Sequence, residues 1–358
     1  MRLRHLWLND FRSFHSAELT LGDGITGIVG ANGQGKTNLL EAIGWLATMR
    51  SFRGAPADAL VRQGCAQAVI RAEVAWPDRD VLIEAELAPR GRSRVQINRQ
   101  RLAGSRDLLG GVRTSVFAPD DLTLVKGGPA ERRRYLDETL VGLHPRHDAV
   151  QRDVDRILAQ RNALLRQVGG RLDSSAAFTL DVWDAKLAAA GETLTAARRE
   201  LVERLGPEVQ LAYGQLAGGD IEVTALYQPS WDGPLAAALA AGRDDDVRRG
   251  VTLVGPHRDE LELVIDGLPG RTHGSQGEQR GVALALRLAA HRLVTTAVDT
   301  PPVLLLDDVF SELDPDRSEA LLAHLPTGQT VLTSASHLPP GAAPEQVLVV
   351  EDGKLREV

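Results

Sequence analysis

Residues Gly27–Ile43 read GIVGANGQGKTNLLEAI. Within this stretch Gly30-Ala31-Asn32-Gly33-Gln34-Gly35-Lys36-Thr37 satisfies the phosphate-loop pattern G-x-x-x-x-G-K-[ST] at every fixed position. The apolar run Ile25–Val29 predicts a short buried strand before it, and Asn38–Ile43 predicts the opening of a helix after it. That order, strand–loop–helix, is the core unit of an α/β nucleotide-binding fold. Glycines at 30, 33 and 35 let the backbone wrap an anion and turn successive N–H groups inward. The positive end of the following helix adds a fixed partial charge. Residues 30–38, Asn38 included, are therefore the candidate nucleotide-binding set. Lys36 would reach the terminal phosphates, and Thr37 would ligate a bridging magnesium ion.

The 358 residues suffice for a large core and two structural units. No uncharged run approaches the ~18 residues of a membrane span, and the charged start MRLRHLWLND does not read as a secretion signal. A single cysteine, Cys65, cannot form an intrachain disulfide or a metal cluster. A soluble cytoplasmic protein without a membrane partner is the expectation. The net charge of −7 does not advertise nucleic-acid binding. Its distribution is uneven, however. Arg90, Arg92, Arg94, Arg99, Arg101, Arg106 and Arg113 face one acid, Asp107, and Arg132-Arg133-Arg134 follows. A polyanion contact and a solvated surface both fit that pattern.

Read in order, residues 2–9, 16–21 and 25–29 predict three strands. Ala68–Trp76, Val81–Leu87 and Ser93–Asn98 predict an antiparallel meander. From about Ala130 to Gly206 the periodicity is helical. A helical hairpin, Pro145–Val168 against Ala176–Leu205, is expected, with a heptad seam of Leu180, Trp183, Leu187, Ala190, Leu194, Ala197 and Leu201. Gly214–Ala241 reads as loop-rich. Val251–Val254 and Leu261–Ile265 read as strands flanking the turn Gly255-Pro256-His257-Arg258-Asp259, for which a structural and a functional role stay open. A long helix to Ala297 follows, then strands at Val303–Leu306, Thr330–Thr333 and Val347–Val350. The division expected is 1–128 and 220–358 as the two parts of an ATPase head, with 129–219 inserted.

Val303–Leu306 followed by Asp307-Asp308 has the Walker B form. Asp307 would hold the magnesium through its water shell, and Asp308 could orient or deprotonate the attacking water. Ser275-Gln276-Gly277-Glu278-Gln279 resembles the signature motif of ATP-binding cassette (ABC) ATPases, and Ser311–Asp314 resembles their D-loop. The resemblance implies an ABC-ATPase-like head: a P-loop NTPase with an antiparallel β subdomain, here carrying a short inserted helical subdomain. It also implies an ATP-dependent homodimer. Ser275, with Gln276 and Gly277 shaping the contact, would cover the γ-phosphate held by the partner copy.

Leu6–Phe14 (LWLNDFRSF) is similar to the opening of the SMC/RecN/RecF group of DNA-maintenance ATPases. Phe117–Leu122 (FAPDDL), Lys126–Pro129 with Glu131–Arg134, Gly255–Asp259 (GPHRD) and Ser275–Arg280 (SQGEQR) resemble the RecF family itself. That resemblance implies ATP and Mg2+ as cofactors and slow hydrolysis serving as a switch. It implies gapped or junction-containing DNA as ligand, and RecR as a partner working with RecO to load RecA. It places Arg12 near the adenine or ribose. His337 could be the switch histidine that senses γ-phosphate, or an ordinary loop histidine. Arg90, Arg92, Arg94, Arg99, Arg101 and Arg132–Arg134 are the candidate DNA contacts, without aromatic interleaving for base stacking. An ABC transporter ATPase subunit shares the Walker and signature motifs and is the alternative; an SMC-like clamp is a second, disfavoured by so short an arm.

Overall fold

The computed structural model describes every residue except Arg92. The strands are β1 (Arg2–Phe11), β2 (Phe14–Thr20), β3 (Ile25–Val29), β4 (Ala68–Ala75), β5 (Asp80–Leu87), β6 (Arg94–Ile97), β7 (Gln100–Arg101), β8 (Thr114–Phe117), β9 (Val223–Gln228), β10 (Glu260–Ile265), β11 (Leu268–Pro269), β12 (Val303–Leu306), β13 (Thr330–Ser334), β14 (Gln346–Glu351) and β15 (Lys354–Glu357). The helices are α1 (Lys36–Thr48), α2 (Ala57–Leu60), α3 (Thr123–Lys126), α4 (Pro129–Leu143), α5 (Arg146–Val168), α6 (Ser174–Ala217), α7 (Leu235–Ala241), α8 (Arg243–Arg249), α9 (Gly270–His273), α10 (Gln276–Val298) and α11 (Pro315–Ala323).

The chain divides into two compact units. One comprises Met1–Asp121, Ala212–Gly219 and Leu284–Val358; the other comprises Leu122–Leu211 and Asp220–Ala283. The stretch 129–219, expected as an insertion, thus falls in the second unit except for its last residues, and that unit also takes in 220–283.

The first unit holds two six-stranded sheets, ordered β2-β1-β4-β5-β6-β7 and β15-β14-β3-β13-β12-β8. The former is antiparallel, the expected meander joined to β1 and β2. In the latter, β14, β3, β13, β12 and β8 run parallel, and β15 turns back. Strands of a parallel sheet are covered on both faces and read as continuous apolar runs; β12, Val-Leu-Leu-Leu, is buried throughout. Helix α1 is buried nearly all round through Leu39, Leu40, Ala42, Ile43, Trp45 and Leu46. Those residues share one core cluster with Leu6 and Ile70 of the antiparallel sheet and Ile28, Leu305 and Val331 of the parallel one. The phosphate loop is therefore gripped between a central strand and a helix that cannot shift without opening the core.

The second unit combines the three-stranded sheet β11-β10-β9 with helices. Both arms of the hairpin form, and Leu165 of α5 and Leu180 of α6 share a small cluster with Val247. The second arm is longer than the periodicity predicts. It runs through Gly206 and Pro207 to Ala217, because Leu205, Val209, Ala212, Tyr213 and Leu216 keep one face buried across the proline. The seam also differs. Leu180, Leu187, Leu194 and Leu201 are buried as expected, but Trp183, Ala190 and Ala197 are only partly so. Their places are taken one residue later by Asp184, Gly191 and Arg198. Gly214–Ala241 is not loop-rich: it forms the end of α6, β9 and α7. Val251–Val254 forms no strand. Its backbone is bound by side chains instead, Thr252 N–H donating to Asn162 Oδ1 (2.8 Å) and Leu253 N–H to Asp246 Oδ1 (2.9 Å).

Polar residues on the buried stripe are paired. Arg161, fully buried, donates to Asp184 (2.6 Å), Asp246 (2.7 Å) and the Thr252 hydroxyl (2.8 Å). Arg198 forks onto Asp137 at 2.8 and 2.7 Å. The turn Gly255–Asp259 is a structural hub. The Asp259 carboxylate accepts from Thr195 (3.1 Å), the Ser230 N–H (2.9 Å) and the Tyr227 hydroxyl. The Pro256 carbonyl accepts from Arg198 at 2.7 Å. His257 Nε2 and Arg258 both turn back on the Thr252 carbonyl, at 3.0 and 3.2 Å.

Among the described residues, α10 is the one helix long and apolar enough to pass as a membrane span, and 61% of its apolar window is buried in the protein. That is the burial of a core helix.

Breaking a buried ion pair by removing one partner leaves the other charged and dry. Arg161→Ala should lower unfolding free energy by about 3–5 kcal/mol, read by chemical denaturation. Arg156→Ala removes an exposed pair with Asp153 and should cost under about 1 kcal/mol. Equal effects of the two would contradict the stabilising role of the buried network.

Candidate nucleotide site

The site is built at the carboxyl ends of β3, β13 and β12, where open α/β sheets bind ligands. The loop after β3 needs backbone that only glycine supplies cheaply. Gly35 has φ 109°, and a Cβ there would lie 2.9 Å from the Phe14 ring and 2.8 Å from Ser13 Oγ. A Cβ on Gly30 would lie 2.4 Å from the Val350 carbonyl oxygen. The loop is thus wedged between the β1–β2 turn and the β14–β15 hairpin. Asn38 Nδ2 donates to Ser13 Oγ (2.9 Å), and Asp352 N–H donates to Gln34 Oε1 (2.7 Å), fixing its two ends.

No side chain caps α1, whose N-cap is Gly35, and no acid lies in its first turn. Its first N–H groups and its dipole are therefore offered to an anion. Lys36, 6% exposed, donates to the Gly30 and Ala31 carbonyls at 2.6 and 3.1 Å. Burial holds its ammonium below the usual lysine range, opposed by Asp308 and Asp307. A buried ammonium bonded only to carbonyls is matched by a polyphosphate.

Thr37 Oγ1 donates to Asp307 Oδ1 at 2.9 Å, so the two expected magnesium ligands are brought together across the sheet. The strand between them supplies a third member. Thr333 Oγ1 donates to the same Asp307 oxygen (3.0 Å) and accepts the Asp308 N–H (2.9 Å). Asp308 sits in the left-handed region, φ 50°, as the strand turns into the helical turn Val309–Glu312. Burial pushes the Asp307 carboxyl up, and Asp308 adds to this; the Thr37 and Thr333 hydroxyls and the Arg53 charge pull it down. A dry carboxylate beside a hydroxyl, short of a cation, fits Mg2+, which takes one or two protein oxygens with substrate phosphates.

The other candidates have partners of their own within the protein. Arg12, φ 54°, forks onto Glu41 at 2.7 and 2.6 Å and donates to the Ala59 carbonyl at 3.0 Å. Three of its five N–H donors are thus engaged, two of them holding α1 through a wholly buried carboxylate. His337 is exposed, and its carbonyl accepts from Ser334 Oγ. Ser275, Gln276 and Gly277 open α10 in the second unit. Ser275 caps it reciprocally, accepting the Glu278 N–H (3.2 Å) while its own N–H donates to Glu278 (2.6 Å). Ser275 and Gln276 are solvent-accessible.

The candidate DNA arginines separate into classes. Arg90, Arg94 and Arg99 are exposed, Arg94 lying 3.8 Å from Glu86. Arg92 lies outside the described residues. Arg101 lines a cavity with Arg79 and Arg113. Arg132 is withdrawn from the surface: it forks onto Glu260 at 2.7 Å and donates to the Gly127 carbonyl at 2.9 Å. Arg133 donates to the Asp259 carbonyl (2.7 Å), and Arg134 pairs with Glu131 and Glu138. Arg132 is thus internal scaffolding on α4, whereas Arg133 is half-buried and Arg134 is exposed beside its acidic neighbours.

Three features of the site were not legible in sequence. Thr333 is marked only by being a hydroxyl at a strand end. Glu41 is a charge inside the apolar run LLEAI, a signal of a buried pair. The β14–β15 hairpin carries no motif at all.

The sequence matches the family described as the RecF/RecN/SMC N terminal domain over residues 2–334. It is 47% identical over 357 residues to the DNA replication and repair protein RecF of Frankia alni, covering 94% of this chain and 93% of that protein. Identity is again 47%, over 353 residues, with RecF of Streptomyces avermitilis, at 94% of each chain. A solved structure of the recombination mediator protein RecF with ATP, of the RecFOR pathway, superposes with TM-score 0.92 at 28% identity, over 99% of this chain and 97% of that one. The Smc head domain of Pyrococcus furiosus shares the fold, with TM-score 0.59 at 18% identity, over 99% of this chain and 95% of that one.

Gly35→Ala combines a disfavoured φ with a clash against Phe14. It should weaken ATP binding at least about tenfold, the equivalent of about 1.4 kcal/mol, by isothermal titration. Thr333→Val keeps shape but removes the hydroxyl shared by Asp307 and Asp308. It should leave ATP affinity within about threefold while lowering turnover at least about tenfold. Intact turnover would mean that Thr333 plays no part in setting the two acids.

Proposed function

The chain belongs to the RecF family, and from that premise we propose that it is an ATP-dependent DNA-binding recombination-repair protein. In this reading it closes as a dimer on gapped or junction DNA and uses slow ATP hydrolysis for release. RecR and RecO are its partners, and the step it serves is the loading of RecA onto single strands. The observation that carries the reading is the Thr37–Asp307–Thr333 cluster beside an uncapped helix start, in a chain whose similarity to RecF is nearly full length. The same full-length similarity speaks against a transporter subunit.

Thr37 and Asp307 would hold Mg2+, which neutralises phosphate charge and organises the β- and γ-oxygens for in-line attack. Lys36 would exchange its two carbonyl partners for phosphate oxygens. Asp308 would orient water and take its proton; its backbone is fixed for this by Thr333. An aspartate reaches less far than a glutamate, which is consistent with a slow switch. Ser275, already rigid as a helix cap, would present its hydroxyl and the α10 N-terminus to nucleotide held by a second copy. That need for a second copy makes dimerisation the readout of bound ATP.

For DNA, Arg90, Arg94 and Arg99 remain the phosphate-contact candidates, with little sequence preference. Arg132, buried on Glu260, leaves the set, and exposed Arg134 stays in it.

Ser275→Arg should leave ATP binding intact and abolish the ATP-dependent dimer in sedimentation, with Asp308→Asn as the background that blocks turnover. A dimer retained in the double variant would refute the signature role. Arg90→Glu/Arg94→Glu/Arg99→Glu should weaken binding to gapped DNA and reduce the salt slope by about one for each phosphate that is no longer neutralised. Unchanged binding would move the DNA face elsewhere.

A further inference from the structure

A cavity of about 790 Å3 opens at the outer end of the antiparallel sheet, within the first unit and lined by none of the nucleotide-site residues. Ligand pockets commonly fall in this size range, with apolar walls and a few converging polar groups. Here the apolar wall includes Trp76, Ile97 and Leu102, and three arginines, Arg79, Arg101 and Arg113, line the same space. Asp107 is the one acid in the lining, and it is occupied in its own turn, accepting the Gly104 N–H at 2.8 Å.

The arginines are short of counter-charge. Neither Arg79 nor Arg101 makes an ion pair or a side-chain hydrogen bond within the described residues. Arg113 lies over the Trp76 ring at 5.6 Å, and Nη1 reaches the Gly110 carbonyl at 3.4 Å; its Nε is buried without any partner. Burial lowers its pKa, and no carboxylate acts against this. A desolvated guanidinium with an orphaned donor is costly until an anion arrives.

We propose that this cavity binds an acidic, apolar peptide segment of a partner protein, its carboxylates on Arg79, Arg101 and Arg113 and its apolar side chains against Ile97 and Leu102. The lining favours a peptide over a nucleic-acid strand. Single strands want a groove tracking the backbone and free aromatic faces for bases. Trp76 is the one aromatic in the lining, its indole N–H donates to the Gly111 carbonyl at 3.3 Å, and Arg113 covers its ring. Moreover, Gln100 and Arg101 form β7, the outermost strand of the sheet, where an extended segment can add main-chain hydrogen bonds.

The test uses the full chain and a fluorescein-labelled peptide of alternating aspartate and leucine with a free C-terminal carboxylate, read by anisotropy. Saturable binding is expected, and it should weaken at least about tenfold in Arg79→Glu/Arg101→Glu, which turns two attractive charges into repulsive ones. Both positions are exposed; should the double variant fail to fold, Arg79→Ala is expected to weaken binding at least about threefold. The same peptide with asparagine for aspartate and an amidated end should bind at least about tenfold more weakly. Absence of saturable binding, equal affinity for the neutral peptide, or affinity unchanged in the charge variants would overturn the proposal. Stoichiometric displacement of the peptide by oligothymidylate would also overturn it and assign the cavity to nucleic acid.

Discussion

One carboxylate oxygen joins the pieces of the nucleotide site. Asp307 Oδ1 accepts from Thr37, at the start of α1, and from Thr333, on the strand that separates β3 from β12. Through Thr333 the same contact fixes the backbone of Asp308. The phosphate loop, the acidic pair and the central strand are thereby held as one body. Burial raises the Asp307 pKa, and a divalent cation beside the carboxylate would favour its charged form. A site poised in this way gains most from magnesium and nucleotide binding together. Its rigidity comes from α1, which is anchored in the core by its apolar face and by the Arg12–Glu41 pair.

The residues that matched sequence reasoning are those whose roles are local. The phosphate loop announces itself because its glycines, lysine and threonine act within a few residues of one another. β12 announces itself because a strand buried on both faces must be continuously apolar. The strands of the meander follow from alternation, since one face meets the core. Arg12 is the opposite case. Its partner is Glu41, on a different element, and nothing in its neighbours tells a nucleotide contact from a core ion pair.

The second unit shows the same limit on a larger scale. Its buried stripe along α6 alternates leucine with Asp184, Gly191 and Arg198, so an apolar heptad places Trp183, Ala190 and Ala197 one residue too early. Polar side chains enter the core there because each finds a partner far along the chain: Asp184 with Arg161, Arg198 with Asp137, Asp259 with Thr195 and Tyr227. Paired in this way they avoid the larger cost of an unmatched buried charge. The same logic withdraws Arg132 from a basic patch into the fold, while Arg134 two residues on stays exposed. Charge counts along a sequence cannot separate exposed arginines from those matched inside the fold.

Both units contribute to the proposed mechanism, in which one copy supplies Lys36, Asp307 and Asp308 and the other supplies Ser275. The most direct measurement is the specific rate of ATP hydrolysis as protein concentration is raised across the dimerisation range, with gapped DNA present. A shared catalytic pocket predicts a rate per protomer that climbs with concentration and levels off once dimers dominate. A rate per protomer that stays flat from the most dilute monomer upward, and ignores the DNA, would contradict it.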